Sequence, residues 1–203
     1  MKYRACIRMV AMGVTALLLS GCLTNDLLKP KPDTTRFYAL EAEERASSQG
    51  DDASTTVVVN MIRIPKYLDY SGVVTQLPSY EMRQSGEHRW SEPLDEGIAR
   101  VLVAGMASEL EGVRVSRIKD RPGLDWDYRV GASVEKLDGD LEGEVKLQVR
   151  WWISVNDSEQ TREFYSNLTE SAGVGYEGYV GAINRLVKSW SVEVSAAVQS
   201  LEK

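Results

Sequence analysis

The chain of 203 residues contains two cysteines and one histidine, and their positions limit the chemistry available. Cys6 lies inside an apolar N-terminal stretch, and Cys22 ends that stretch after Leu19, Ser20 and Gly21. A single thiol beyond the stretch leaves no pair for a structural disulfide, and Cys22 with His88 is too small a set for a metal cluster. A thiol is a nucleophile that can be alkylated, and the small residues before it leave the backbone open to a peptidase. His88 has no acidic or cysteine companion at ligand spacing and reads as a surface turn residue, a poor general base. No Gly-x-Ser-x-Gly elbow occurs among the serines. The glycine-rich run 173–178, "GVGYEG", lacks the Lys-Ser/Thr of a phosphate loop and the spacing of a dinucleotide loop, and Glu177 would repel a phosphate. It reads as a loop entering the last helix. Asp138 and Asp140 flank Gly139 in the manner of a hairpin connection. These residues predict a protein that is not an enzyme and carries no metal or cofactor.

The segment around Cys22 explains what the thiol is for. Lys2, Arg4 and Arg8 form a positive start, followed by an apolar run over residues 9–19. A spanning helix needs roughly 20 apolar residues, so this run is too short to cross a bilayer and has the length of a secretory signal core. A buried helix would not open on three cations and close on a thiol. The tetrad Leu19-Ser20-Gly21-Cys22 resembles the bacterial lipobox, in which the Cys thiol receives a diacylglyceryl group and cleavage precedes it. That resemblance implies a leader over residues 1–21 and a lipidated Cys22. Each buried methylene contributes about 0.8 kcal/mol, so two or more acyl chains hold a protein stably. Leu23 stands where an Asp would favour inner-membrane retention in enterobacterial sorting, which points to the outer membrane. Residues 22–35 carry Pro30 and Pro32 and read as an extended tether; its part after Cys22 spans at most roughly 40–45 Å.

Composition agrees with a folded domain beyond the tether, since 43% of residues are hydrophobic and 27% charged. Without residues 1–21 the chain has 21 cations against 30 acids, a net charge of −9. Such a chain repels phosphate backbones, which argues against nucleic-acid partners. Residues 36–203 fit one domain.

Within it, residues 36–40 read as a short strand and residues 41–54, with five acids and no large apolar residue, as a solvated loop. Residues 55–64 form a β-branched strand stopped by Pro65. Two short extended runs follow at 72–77 and 80–83, then a turn at "QSGE" and the segment "HRW". Pro93 opens a helix at a favoured position, with Asp95 and Glu96 complementing its dipole. Leu94, Ile98, Val101, Leu102, Gly105, Met106 and Leu110 mark its core face, and Gly112 ends it. A strand follows at "VRVSRI". Residues 128–137 and 144–155 are strands joined by "DGDLEG". Val145, Leu147, Val149, Trp151, Ile153 and Val155 face one way, which leaves Trp152 on the polar side. Cover by a neighbouring element accounts for Trp152 most simply, with partner contact, where Trp is enriched, as the alternative. Residues 162–171 form a further strand. Tyr179, Ile183, Leu186, Val187, Trp190, Val194, Val198 and Leu201 mark a long amphipathic helix. The expected fold is α/β, a single domain with a mixed β-sheet packed against two main amphipathic helices.

The run "IPKYLDYSGVVTQ" from Ile64, followed by "RWSEPL" from Arg89, closely resembles the ABC-type transport auxiliary lipoproteins. "RFYAL" upstream and "GYVGAINRLVKSWSVEV" near the C-terminus extend the resemblance over residues 36–201. Tyr67, Leu68, Asp69, Gly72, Val73 and Val74 fall on the first motif, and Trp90, Pro93 and Leu94 on the second. Core and turn roles fit most of this set, while Tyr67, Tyr70 and Tyr80 are amphipathic aromatics near loops, suited to partner contact. The resemblance implies a periplasm-facing outer-membrane lipoprotein. It would act with an MCE-domain membrane protein, and in some systems an ABC permease and ATPase, in lipid movement between membranes and in envelope integrity. A homo-oligomer is compatible with such a partner. The competing reading is a lipoprotein that tethers or assembles another envelope complex. A solute receptor would need two lobes, for which the chain is too short.

Overall fold

The computed structural model describes residues 32–42, 53–158 and 160–201. The leader, the lipobox with Cys22, most of the tether and residues 43–52 of the acidic loop lie outside the described residues. Eight strands and two long helices follow in the order β1 Arg36–Tyr38, β2 Thr55–Arg63, β3 Gly72–Gln76, β4 Met82–Trp90, α1 Leu94–Glu109, β5 Val113–Arg117, β6 Tyr128–Gly139, β7 Glu144–Val155, β8 Thr161–Ser171 and α2 Gly175–Leu201.

The alternation in β7 builds the larger sheet. Val145, Leu147, Val149, Trp151 and Ile153 are buried on one face, while the residues between them are half-buried or exposed. β7 pairs antiparallel with β6 and with β8, and β2 lies between β5 and β6, parallel to both. The strand order is β5-β2-β6-β7-β8. Both helices cover the face that carries Val149 and Ile153. α1 packs on β2 and β5, α2 on β7 and β8, and the helices pack on each other. The apolar stripe of α2 is core: Tyr179, Leu186, Val187, Trp190, Val194 and Val198 are fully buried. Each such side chain contributes about 1.5–3 kcal/mol of hydrophobic stabilisation.

The fold is the expected α/β single domain with two main helices, but its strands divide between two sheets. The second sheet has the order β1-β4-β3, with β1 parallel and β3 antiparallel to β4. Here the structure corrects the expected turn at "QSGE", which lies inside a continuous strand. The register jumps between the pairs Gly72–Arg89 and Val74–Gln84, so the extra residues form a bulge in β4. Ser85 Oγ accepts from the backbone N–H groups of Glu87 and His88 at 3.3 and 2.9 Å, which is turn chemistry placed within the bulge. Tyr80 belongs to the turn between β3 and β4 instead of an extended run; it and Ser79 have φ near 66° and 69°. The helix α2 also begins earlier than expected, at Gly175, so the last four residues of "GVGYEG" are helical. A Cβ at Gly178 would stand 2.7 Å from the Ala172 carbonyl, so glycine lets this first turn sit against the end of β8.

A cleft where two sequence motifs meet

Pro65 ends β2, and residues 66–68 turn through a single 3-10 loop in which Leu68 N–H donates to the Pro65 carbonyl at 2.9 Å. This reversal buries Leu68 and swings Asp69, Tyr70 and Ser71 outward. Trp90 N–H then donates to the Ser71 carbonyl at 2.7 Å, and Ser91 N–H to the Tyr38 carbonyl at 2.8 Å. Those two bonds hold the first motif, the second motif and β1 together. Gly72 is required at the crossing, because a Cβ there would lie 2.3 Å from the Ser85 carbonyl oxygen.

Residues 68–71 and 90–94 line a cleft of about 320 Å³. Its floor is apolar and buried: Leu68, Trp90 and Leu94 are 3%, 7% and 4% exposed. Asp69, Tyr70, Ser71, Ser91, Glu92 and Pro93 form the rim. Pro93 precedes the first turn of α1 with extended backbone, and Asp95 and Glu96 follow it. Arg100, one face of α1 away, pairs with Glu92 and also donates to the Leu40 carbonyl at 2.7 Å. Asp69 is 3.6 Å from Lys66 in an exposed pair.

Tyr67 turns away from the cleft into a buried polar network. Its hydroxyl donates to Asp138 Oδ2 at 2.5 Å. Lys136 Nζ stands 3.1 Å from Asp138 Oδ1, acting as a nearby charge without an aligned hydrogen bond, and donates to Gln76 Oε1 at 3.2 Å. Tyr179 donates to the Val74 carbonyl at 3.0 Å. Burial first, then the hydrogen bond and charge of Asp138, push the Tyr67 hydroxyl well above its ordinary pKa. Burial and the Asp138 charge do the same for Tyr179. Hydroxyls held protonated in this way are hydrogen-bond donors at neutral pH; here they tie β3 and the turn before it to β6 and α2. Asp138 is therefore no turn residue. It is buried in β6, and Asp140 alone shapes the hairpin, accepting from Glu142 N–H at 2.9 Å.

The structure brings Leu68, Asp69, Trp90, Pro93 and Leu94 of the two motifs into one cleft, and places Tyr70 at its mouth with 57% exposure. Val73 and Val74 are core residues of β3. Trp152 lies far along the chain on β7, half-buried over Gly131 of β6, where a Cβ would stand 2.4 Å from its ring. Tyr80 is 93% exposed at the tip between β3 and β4. Glu92 and the serines at 71 and 91 are rim residues that motif reading passed over, since they stand between the motif positions without a pattern of their own. His88 is not a surface turn residue. Its ring stacks on Tyr176 at 3.9 Å between centroids, and its Nδ1 shares a hydrogen bond with the Tyr38 hydroxyl at 2.8 Å. Among the described residues, no group of three or more His, Cys, Asp or Glu is placed to hold a metal ion, and no helix is long and apolar enough to cross a membrane.

Comparison with known proteins follows the same outline. The chain is 22% identical over 191 residues to the intermembrane transport lipoprotein PqiC of Escherichia coli (strain K12), covering 94% of this chain and 95% of that protein. The PqiC of Shigella flexneri matches with the same values. The fold is shared with an uncharacterized protein of known crystal structure, at TM-score 0.69 and 21% identity, over 81% of this chain and 98% of that one. Protein XCC0632 from Xanthomonas campestris shares it at TM-score 0.65 and 13% identity, over 83% of this chain and all of its own (100%). The family model for the ABC-type transport auxiliary lipoprotein component matches residues 38–195, a span that contains both motifs, the cleft and the polar network beneath it. The chain belongs to the ABC-type transport auxiliary lipoprotein family.

Proposed function

We propose that the protein is a non-enzymatic lipoprotein subunit of an intermembrane lipid-transport system that supports envelope integrity. Residues 1–21 are its leader, 22–35 its tether and 36–203 its working domain. Acyl chains on Cys22 hold it at the periplasmic face of the outer membrane. Its partner is an MCE-domain protein anchored in the opposite membrane, with an ABC permease and ATPase where the system has them. The observation that carries this reading is the cleft: two motifs separated in sequence converge on one surface site, while the buried groups around them serve packing and bracing. Family membership supplies the transport role.

The test is co-purification from envelopes in mild detergent. The lipidated chain is expected in the outer-membrane fraction with an MCE-domain protein, and Cys22→Ser is expected to lose both. Recovery without any such protein, with normal lipid asymmetry and a secretion or assembly defect in a deletion strain, would favour the tethering role instead.

A further inference from the structure

We propose that the cleft between residues 68–71 and 90–94 docks a protein segment that presents an arginine or lysine between apolar residues. The assignment rests on the reading of the chain as a partner-binding subunit and names the chemistry of the partner. The free volume of about 320 Å³ is at the small end of ligand sites and suits a few side chains. The floor of Leu68, Trp90 and Leu94 is apolar, which suits the aliphatic stem of a long basic side chain. Two carboxylates, Asp69 and Glu92, stand on the rim, and no cation is among the residues that line the cleft.

Neither carboxylate is fully committed. Lys66 stands 3.6 Å from Asp69 and is 97% exposed, so an incoming cation can replace it. Arg100 engages Oε1 of Glu92, and a carboxylate has lone pairs for more than one donor. Tyr70, half exposed at the mouth, offers a ring face to a guanidinium. The acidic charge of the chain, −9 without residues 1–21, draws a basic segment toward the domain and opposes an anionic lipid headgroup.

The probes are three acetylated, amidated pentapeptides, Leu-Ala-Arg-Ala-Leu and its citrulline and glutamate counterparts. The reporter is ¹⁹F NMR of the full chain labelled with 5-fluorotryptophan in detergent. The arginine peptide is expected to shift the Trp90 signal saturably, the citrulline peptide to bind at least fivefold more weakly, and the glutamate peptide not to bind. Asp69→Asn should reduce the arginine peptide to the citrulline level, and Tyr70→Ala should weaken it severalfold. Both positions are exposed, so unchanged thermal melting certifies the fold. Equal affinity for all three peptides, an unmoved Trp90 signal, or a shift of that signal by phosphatidylglycerol vesicles would overturn the assignment. Absent peptide binding with an MCE-domain protein still co-purifying overturns the cleft alone. Selective peptide binding without that protein supports the cleft and counts against the transport reading.

Discussion

Tyr67→Phe removes one hydroxyl and changes nothing else in shape, which makes it a clean probe of the network under the cleft. The hydroxyl donates to Asp138, whose side chain is 5% exposed. A hydrogen bond to a charged group contributes about 1.5–3 kcal/mol, and a buried acceptor left short of a donor pays its desolvation in full. Lys136 stays 3.1 Å from the other oxygen, so the loss falls inside that range, at about 2 kcal/mol. For a domain of this size each kcal/mol moves the melting temperature by roughly 2–4 °C, giving a fall of roughly 4–8 °C. Urea unfolding followed by tryptophan fluorescence should show a lower midpoint at unchanged slope. Lys136→Met should be coupled to Tyr67→Phe in a double-mutant cycle by more than about 0.5 kcal/mol, because both act on one carboxylate. Tyr70→Phe, three residues along and exposed, should stay within about 0.5 kcal/mol of the wild type. A Tyr67→Phe chain as stable as the Tyr70→Phe chain would mean that the Tyr67–Asp138 bond does not stabilise the fold.

Three other perturbations follow from the same packing. Gly72→Ala should destabilise by about 1–3 kcal/mol in urea, since the new Cβ meets the backbone oxygen of Ser85, which can retreat only if the bulge opens. Gly131→Ala should push the Trp152 ring off the sheet at about 1 kcal/mol and raise acrylamide quenching of its fluorescence, because the clash is with a side chain that has room outside. Stability should hold up to about pH 10, where tyrosines of the unfolded chain ionise, and decline above it while folded Tyr67 and Tyr179 keep their protons. Each contributes a slope of about 1.4 kcal/mol per pH unit, and Tyr67→Phe should remove one share of it in alkaline unfolding curves.

Local patterns that end in local structure were legible. Alternation over residues 144–155 defines β7, and Pro93 with the acids after it defines the start of α1. The "QSGE" segment shows the limit. Ser85 does what a turn serine does, but Gly72 on one side and β1 on the other keep the strand running through it. His88 and Asp138 looked like turn residues because their sequence neighbours are polar. Their partners, Tyr38 and Tyr176 for the one and Tyr67 for the other, come from distant elements and leave no mark beside them in the chain. The division into two sheets likewise depends on which strands pair, a property of the folded chain and not of any strand's composition. Both motifs of the cleft were readable as text; their meeting was not, since it depends on the bond from Trp90 N–H to Ser71 and on the glycine that lets β3 pass under the β4 bulge.

Site-specific photo-crosslinking from position 70 in intact envelopes would capture whatever docks at the cleft, because Tyr70 stands at its mouth and is 57% exposed, so a photoreactive side chain fits there without disturbing the core. A crosslink to an MCE-domain protein of the opposite membrane is expected, through a segment containing Lys or Arg, and is expected to be lost in Cys22→Ser cells. Crosslinks from position 70 to lipid alone, or an unchanged crosslink when Cys22 is replaced, would contradict the proposed function.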